Sequence, residues 1–251
     1  MIFSLASQSS QPSIKVHLGD TILEQVISYK YLGIDFDHKL SFASQTTRAV
    51  TKAKQGIGAL CRTLCKWSSS KILNTAISSI AMPALLYGIE TWFPPDVTKQ
   101  IQVLKLQKYA ARLLLNNFKE EISLVDLVNQ VKWQPIHHIV ATRRLLALRK
   151  YLEGTRYIDS EVFPLQIPES GIRKSSRLLE RKYTNSIQME IIVKANAKEE
   201  KLAAAQTRKM WNELDEDVVR SSVRDFACKI RDKEVIGKLV SKGVLRDFPD
   251  V

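Results

Sequence analysis

Two carboxylates, two thiols and a pair of imidazoles are the side chains whose types and spacing invite chemistry. Asp35 and Asp37 form an Asp-x-Asp at a strand end. Alternate residues of a strand share a face, so the pair can hold a divalent cation. Two-metal phosphoryl transfer needs another carboxylate from a separate element, and none stands nearby in the sequence. A strand-end turn is the plainer role. Cys61 and Cys65 lie four apart and share a helix face. A zinc site needs two further ligands, and His17, His38 and the pair His137-His138 lack the spacing. Cys61 and Cys65 therefore read as buried thiols, and His137-His138 as capping or packing at a helix start. There is no nucleophile elbow, P-loop or dinucleotide fingerprint. Ser68-Ser69-Ser70 precede a helix and read as N-cap residues. Tyr29, Tyr31 and Phe36 have faces suited to stacking on bases, or equally to core packing.

A basic stripe is the stronger signal. On a helical wheel Arg48, Lys52, Gln55, Arg62 and Lys66 fall within about 40° of one line. Val50, Ala53, Ile57, Leu60 and Leu64 lie opposite. No Asp or Glu occurs between Asp37 and Glu90, although mixed-sign pairs along a helix are the easier route to a soluble face. From His38 through Lys119 there are twelve bases and two carboxylates, Glu90 and Asp96. The whole chain carries 38 Lys and Arg against 26 Asp and Glu, a formal charge of +12. Such a balance points to a polyanionic partner, of which nucleic acid is the commonest.

Composition bounds the class. The 251 residues are 45% hydrophobic and 25% charged, with nine glycines, eight prolines and three cysteines. That is enough apolar material for a core, and it excludes collagen-like, disordered and disulfide-scaffold chains. Met1–Ser10 lacks a basic start, and its apolar run is short for a secretory signal. The uncharged stretch Ile72–Ile89 is broken by Asn74, Thr75, Ser78, Ser79 and Pro83, which argues against a membrane span. The expectation is an intracellular protein, nuclear or cytoplasmic, with no membrane partner.

The elements that must position these residues read as mainly α. Ile14–Leu18, Thr21–Val26 and Ser28–Phe36 suggest two or three short antiparallel strands. Ser41 is a candidate N-cap for the basic helix, whose Gly56 and Gly58 each cost about 1 kcal/mol against alanine. Tertiary packing must therefore hold that helix. A second helix over Ser69–Tyr87 is apolar nearly all round and so reads as buried, with Pro83 breaking or kinking it near Met82. Asp96 caps a helix over Val97–Phe118. Asp126–Val131 forms a short helix, and Pro135 opens one running to Leu152. Pro164–Arg173 reads as a linker. Lys198–Leu214 and Val218–Arg231 read as two further helices.

Four stretches carry a resemblance. Tyr29-Lys30-Tyr31-Leu32-Gly33-Ile34-Asp35-Phe36-Asp37 followed by Lys39-Leu40-Ser41-Phe42, and Met82-Pro83-Ala84-Leu85-Leu86-Tyr87-Gly88 with Trp92, are two. Trp133-Gln134-Pro135-Ile136 with Arg143-Arg144 and Lys150–Gly154 is the third, and Ala203–Leu214, with Trp211-Asn212-Glu213-Leu214, the fourth. In order and spacing they resemble the rear part of LINE-type, jockey-like non-LTR retrotransposon reverse transcriptases. Asp215 stands where that family usually has proline.

The resemblance implies an organisation. Residues 1–40 would be palm-end, primer-grip strands, and 41–163 a helical thumb and post-thumb region. Residues 164–173 would be the linker and 174–251 a C-terminal helical region. It also implies that Tyr31, Leu32 and Gly33 sit at a primer end, and that Arg48, Lys52, Arg62 and Lys66 contact the backbone of an RNA–DNA hybrid. The family's polymerase uses Mg²⁺ on palm carboxylates, including an aromatic-x-Asp-Asp turn, which this sequence lacks. The expectation is therefore a chain without catalytic residues, cofactor or metal of its own, binding RNA–DNA hybrid or other nucleic acid. Two alternatives stand beside it. One is a helical protein-interaction module, exposing apolar surface along Ile72–Tyr87 and around Leu113–Leu115. The other is the rear of an intact reverse transcriptase, completed by the family's palm and fingers.

Overall fold

The computed structural model describes residues 15–118, 122–158, 185, 187, 189 and 201–248. The architecture is mainly helical, with two short antiparallel strand pairs ahead of the helices. The chain divides into two compact units between Trp133 and Gln134. That division falls inside the 41–163 span expected as one region. Residues 164–173, expected as the linker, lie outside the described residues.

In the first unit, β1 (His17–Leu18) pairs with β2 (Thr21–Ile22), and β3 (Ser28–Tyr31) with β4 (Ile34–Asp37). The Ser28–Phe36 stretch is thus two strands, not one. Leu32 and Gly33 turn the chain with φ of 46° and 82°. Positive φ at both central residues is the two-residue hairpin geometry that matches strand twist. The register sets Tyr29 opposite Phe36 and Tyr31 opposite Ile34, so these four side chains share one face. Asp37 then organises the exit. Its carboxylate accepts from the backbone N–H of Ser41 (3.0 Å) and of Phe42 (2.8 Å).

Helix α1 (Ala43–Leu64) follows, with Phe42 at φ 52° in the N-cap position expected of Ser41, whose hydroxyl accepts from the Ala43 N–H at 3.4 Å one residue earlier. Its buried face is Gln45, Thr46, Ala49, Ala53 and Ile57. Small residues let a neighbour approach. A methyl group on Gly56 would meet the Cβ of Ala81 at 3.5 Å, an ordinary contact, so the packing leaves room for one methyl and no more. No comparable neighbour meets Gly58, whose added methyl would find only the flexible end of Arg62.

The expected second helix comes in pieces: α2 (Ser70–Ala76), a π turn (Ile77–Ala81) and α3 (Met82–Leu86). Proline lacks an N–H, and its ring clashes with the carbonyl four residues back. For Pro83 that carbonyl belongs to Ser79, inside the π turn. The Met82 N–H reaches the Ile77 carbonyl across the widened turn, and the helix continues without a break. Burial is one-sided and not all round. Leu73, Ile77, Ala81, Met82 and Leu85 are buried, while Ile72 and Ile80 are exposed.

Next come α4 (Ile89–Trp92), α5 (Val97–Leu115) and α6 (Leu124–Gln130). Asp96 caps α5 by accepting from the Thr98 N–H. Ser123 caps α6 through the Asp126 N–H. Trp133 donates its indole N–H to the Asn74 side chain at 2.9 Å, tying the end of α6 to α2. Ile57, Ile77, Leu85, Ile89, Trp92, Leu104, Leu124 and Leu127 are fully buried.

The second unit is built on α7 (Ile136–Leu152), α8 (Ala203–Asn212), α9 (Glu216–Val219), α10 (Val223–Lys229) and α11 (Lys233–Ser241). Ala141, Leu145, Leu148, Met210, Trp211, Phe226 and Leu239 share its core. The Trp211-Asn212 pair has structural work here. Trp211 gives its indole N–H to the Ile187 carbonyl (2.8 Å), and the Asn212 side chain exchanges two 2.8 Å bonds with the Met189 backbone. Asp215 pairs with Lys238 at 2.9 Å. Among the described residues no helix is long and apolar enough to cross a membrane.

Candidate nucleic-acid interface

Lys52, Lys54, Gln55, Arg62 and Lys66 are all exposed. None of the four cations makes a hydrogen bond or ion pair with a described residue. An α-helix carries neighbours three and four positions apart along one side. Lys52 and Arg62 therefore present their charges on the side of α1 away from its buried face, and Lys66 follows in the turn just past the helix end.

Arg48 behaves differently. Its Nε lies 2.9 Å from the Asp35 carboxylate, and its Nη2 donates to the Gly33 carbonyl at 2.6 Å and to Gln45. Gln45 also accepts from the Asp35 N–H at 3.1 Å. The guanidinium is spent on holding the β3–β4 hairpin against α1. It is a clamp between two elements, and not the free cation expected to contact phosphate.

The hairpin tip is held from a second side. The Tyr87 hydroxyl donates to the Leu32 carbonyl at 2.9 Å. A methyl group added to Gly33 would touch the Tyr87 ring at 3.4 Å, and one added to Gly88 would come within 2.8 Å of the Ile34 Cδ1. Gly88 also takes φ 57°, which favours glycine. Residues 31–35 and 87–88, far apart in sequence, thus form one junction. Tyr31 and Leu32 point outward, both more than half exposed, with Tyr29 beside Tyr31 on the same face. All three residues expected at a primer end, Tyr31, Leu32 and Gly33, are exposed, and Gly33 also supplies the backbone geometry of the turn.

The other sequence candidates resolve structurally. Asp35 is neutralised by Arg48, and Asp37 caps the β4–α1 connection, in keeping with a strand-end turn. Among the described residues no three His, Cys, Asp or Glu side chains cluster as metal ligands. Cys61 is half-buried and Cys65 exposed, so Cys65 is not the buried thiol expected. Burial and the adjacent Cys65 push the Cys61 thiol up to about 11. His137 is a packing residue, as its place at a helix start suggests. Its ring meets those of His138 at 4.2 Å and Phe248 at 5.3 Å. Burial lowers its pKa to about 3, and that of His138 to about 4. Of Ser68, Ser69 and Ser70 at the start of α2, Ser69 alone is the N-cap, accepting from the Ile72 N–H. Ser68 and Ser70 bond the carbonyls of Leu64 and Leu114.

No protein family, curated protein or solved structure matches this chain.

Two features escaped the wheel. Lys54 joins the exposed cations although it lies off the stripe's axis. Trp67 stands 88% exposed just beyond the helix. Its flanks, Lys66 before and three serines then Lys71 after, were the available signal, because a tryptophan in a polar connector has little to pack against.

Proposed function

We propose that this chain is a non-catalytic nucleic-acid-binding module that grips a phosphate backbone along the exposed face of α1. In this reading it is related in role to the primer grip and thumb of the non-LTR reverse transcriptases it resembles. The observation that carries the proposal is the stripe of Lys52, Arg62 and Lys66, exposed and making no hydrogen bond or ion pair among the described residues. The junction of Arg48, Tyr87 and the hairpin tip supports it, because two of the resembling stretches pack together there. Asp35 and Asp37 are committed to structural contacts, so neither is available to hold the metal that in-line nucleotide transfer requires.

Backbone binding of this kind depends on counterion release, with a salt slope near −0.9 per neutralised phosphate on duplex. For Lys52→Gln/Arg62→Gln/Lys66→Gln, the log–log salt slope on an RNA–DNA hybrid should flatten by about 2 to 3. Fluorescence anisotropy across a salt series reads it directly. An unchanged slope and affinity would remove α1 from the interface. Exposed Ile72 and Ile80 favour a second reading, a helical surface for a protein partner. Salt-insensitive self-association in size-exclusion chromatography, without nucleic-acid binding, would select it.

A further inference from the structure

Trp67 is the unexplained residue of the first unit. Its indole is 88% exposed, whereas Trp92 and Trp211 are fully buried. Each of the other three tryptophans gives its indole N–H to a carbonyl or amide oxygen: Trp92 to Tyr87, Trp133 to Asn74 and Trp211 to Ile187. Among the described residues the Trp67 ring touches no other ring and its indole N–H makes no hydrogen bond. Its backbone is well placed all the same. The Trp67 N–H donates to the Leu64 carbonyl at 3.1 Å in the closing turn of α1, and Ser69 caps α2 immediately after. A large aromatic face is thus carried into solvent on a defined connector.

The surroundings say what would cover it. Arg62, Lys66 and Lys71 flank Trp67 in sequence, are exposed, and have no partner among the described residues. No carboxylate occurs between Asp37 and Glu90 to compete for them. The occupant must be polyanionic and must offer a flat ring, which together describe a nucleotide strand. In a duplex the ring faces are occupied by neighbouring bases. Single-strand binders combine a cationic track with aromatic platforms on which unpaired bases stack. We infer that Trp67 is a stacking platform for an unpaired base, so that the basic face of α1 ends at a single-stranded segment of the bound nucleic acid. This rests on the nucleic-acid reading above and adds to it a specific residue and a strandedness.

The test uses the full chain, Trp67→Ser and Trp67→Phe, with three probes: an oligothymidylate, inorganic polyphosphate and vesicles containing phosphatidylserine. The expected result is that oligothymidylate quenches the solvent-exposed tryptophan emission and polyphosphate binds without quenching. Trp67→Ser should lose the quenching and bind oligothymidylate about 5- to 150-fold more weakly, the range for one lost base–aromatic stack. Trp67→Phe should keep most of the affinity. Oligothymidylate bound equally tightly by Trp67→Ser, without quenching in the native chain, overturns the platform and leaves the backbone grip standing. A blue shift on vesicles with no oligothymidylate response overturns it in favour of a membrane surface. Failure of both polyanions to bind at low salt refutes the nucleic-acid reading itself, and this inference with it.

Discussion

Acidification should destabilise the second unit through His137. Its ring is 3% exposed, and neither ring nitrogen has a hydrogen-bond partner among the described residues. Burial holds its pKa near 3 against an ordinary 6.5, and that of the less deeply buried His138 near 4, where nearby Asp247 pulls in the opposite direction. A histidine whose folded pKa is depressed is neutral in both states above pH 6.5, so it costs nothing there. Below that value the unfolded chain takes up a proton that the folded chain refuses. Stability then falls by about 1.4 kcal/mol per pH unit for each such group until the folded pKa is reached. From pH 6.5 to pH 5, His137 alone costs about 2 kcal/mol. His138, partly open to solvent, adds at most a similar amount, so the pair removes about 2–4 kcal/mol. Against a typical total of about 5–15 kcal/mol that is a large share. The assay is urea unfolding of the whole chain at pH 7 and pH 5, with hydrogen exchange separating α7 from α1. His137→Leu should lose about 2 kcal/mol less on acidification than the native chain. Ion-pair carboxylates titrate in both proteins and cancel in the comparison. An imidazole of His137 that titrates near 6.5 by NMR, or an equal acid loss in the variant, would refute the reasoning.

Arg48→Gln should release the β3–β4 hairpin and cost about 1–2 kcal/mol, since it removes a partly exposed ion pair and a charged hydrogen bond to the Gly33 carbonyl. Faster amide exchange confined to residues 28–37, with a nearly unchanged salt slope, is the expected pattern. Gly56→Ala should stabilise by up to about 1 kcal/mol, because the new methyl meets Ala81 at ordinary contact distance and helix propensity rises. Gly56→Leu should destabilise by about 1–3 kcal/mol through overpacking, and thermal melts distinguish the two. Asp37→Ala should cost about 1–2 kcal/mol by orphaning the N–H groups of Ser41 and Phe42. Asp37→Asn, which keeps a carbonyl oxygen, should cost less by the same melt.

The fold class was legible because long amphipathic stretches and proline, aspartate and serine caps are local signals. The Leu32-Gly33 turn was not, since leucine rarely takes positive φ and no Asn-Gly or Asp-Gly pair marks it. The helix at Lys233–Ser241 was missed although Asp232 caps it through the Glu234 N–H. Its nine residues are too few for periodicity to speak loudly. At the site, Lys52 and Arg62 are on the exposed side of α1 as the helical wheel has them, while Lys66, also exposed, falls in the turn past the helix end. It could not reveal the partners of Arg48. Asp35 and Gly33 reach it only because the hairpin folds back, a non-local event that no window on α1 contains. The division after Trp133 was equally hidden, being set by what each flank packs against and not by a glycine- or proline-rich stretch.

The π turn at Ile77–Ala81 has a consequence for how this sequence can drift. A π turn is an α-helix holding one residue too many, and Pro83 is a residue the regular helix would reject. Each defect accommodates the other. Deleting a residue from the turn while keeping Pro83 would press its ring onto the carbonyl of the preceding turn. Replacing Pro83 alone would leave the surplus residue without its reason. The two should therefore be gained and lost together among descendants of this chain, a linked pair of changes in which either one alone is the less fit intermediate.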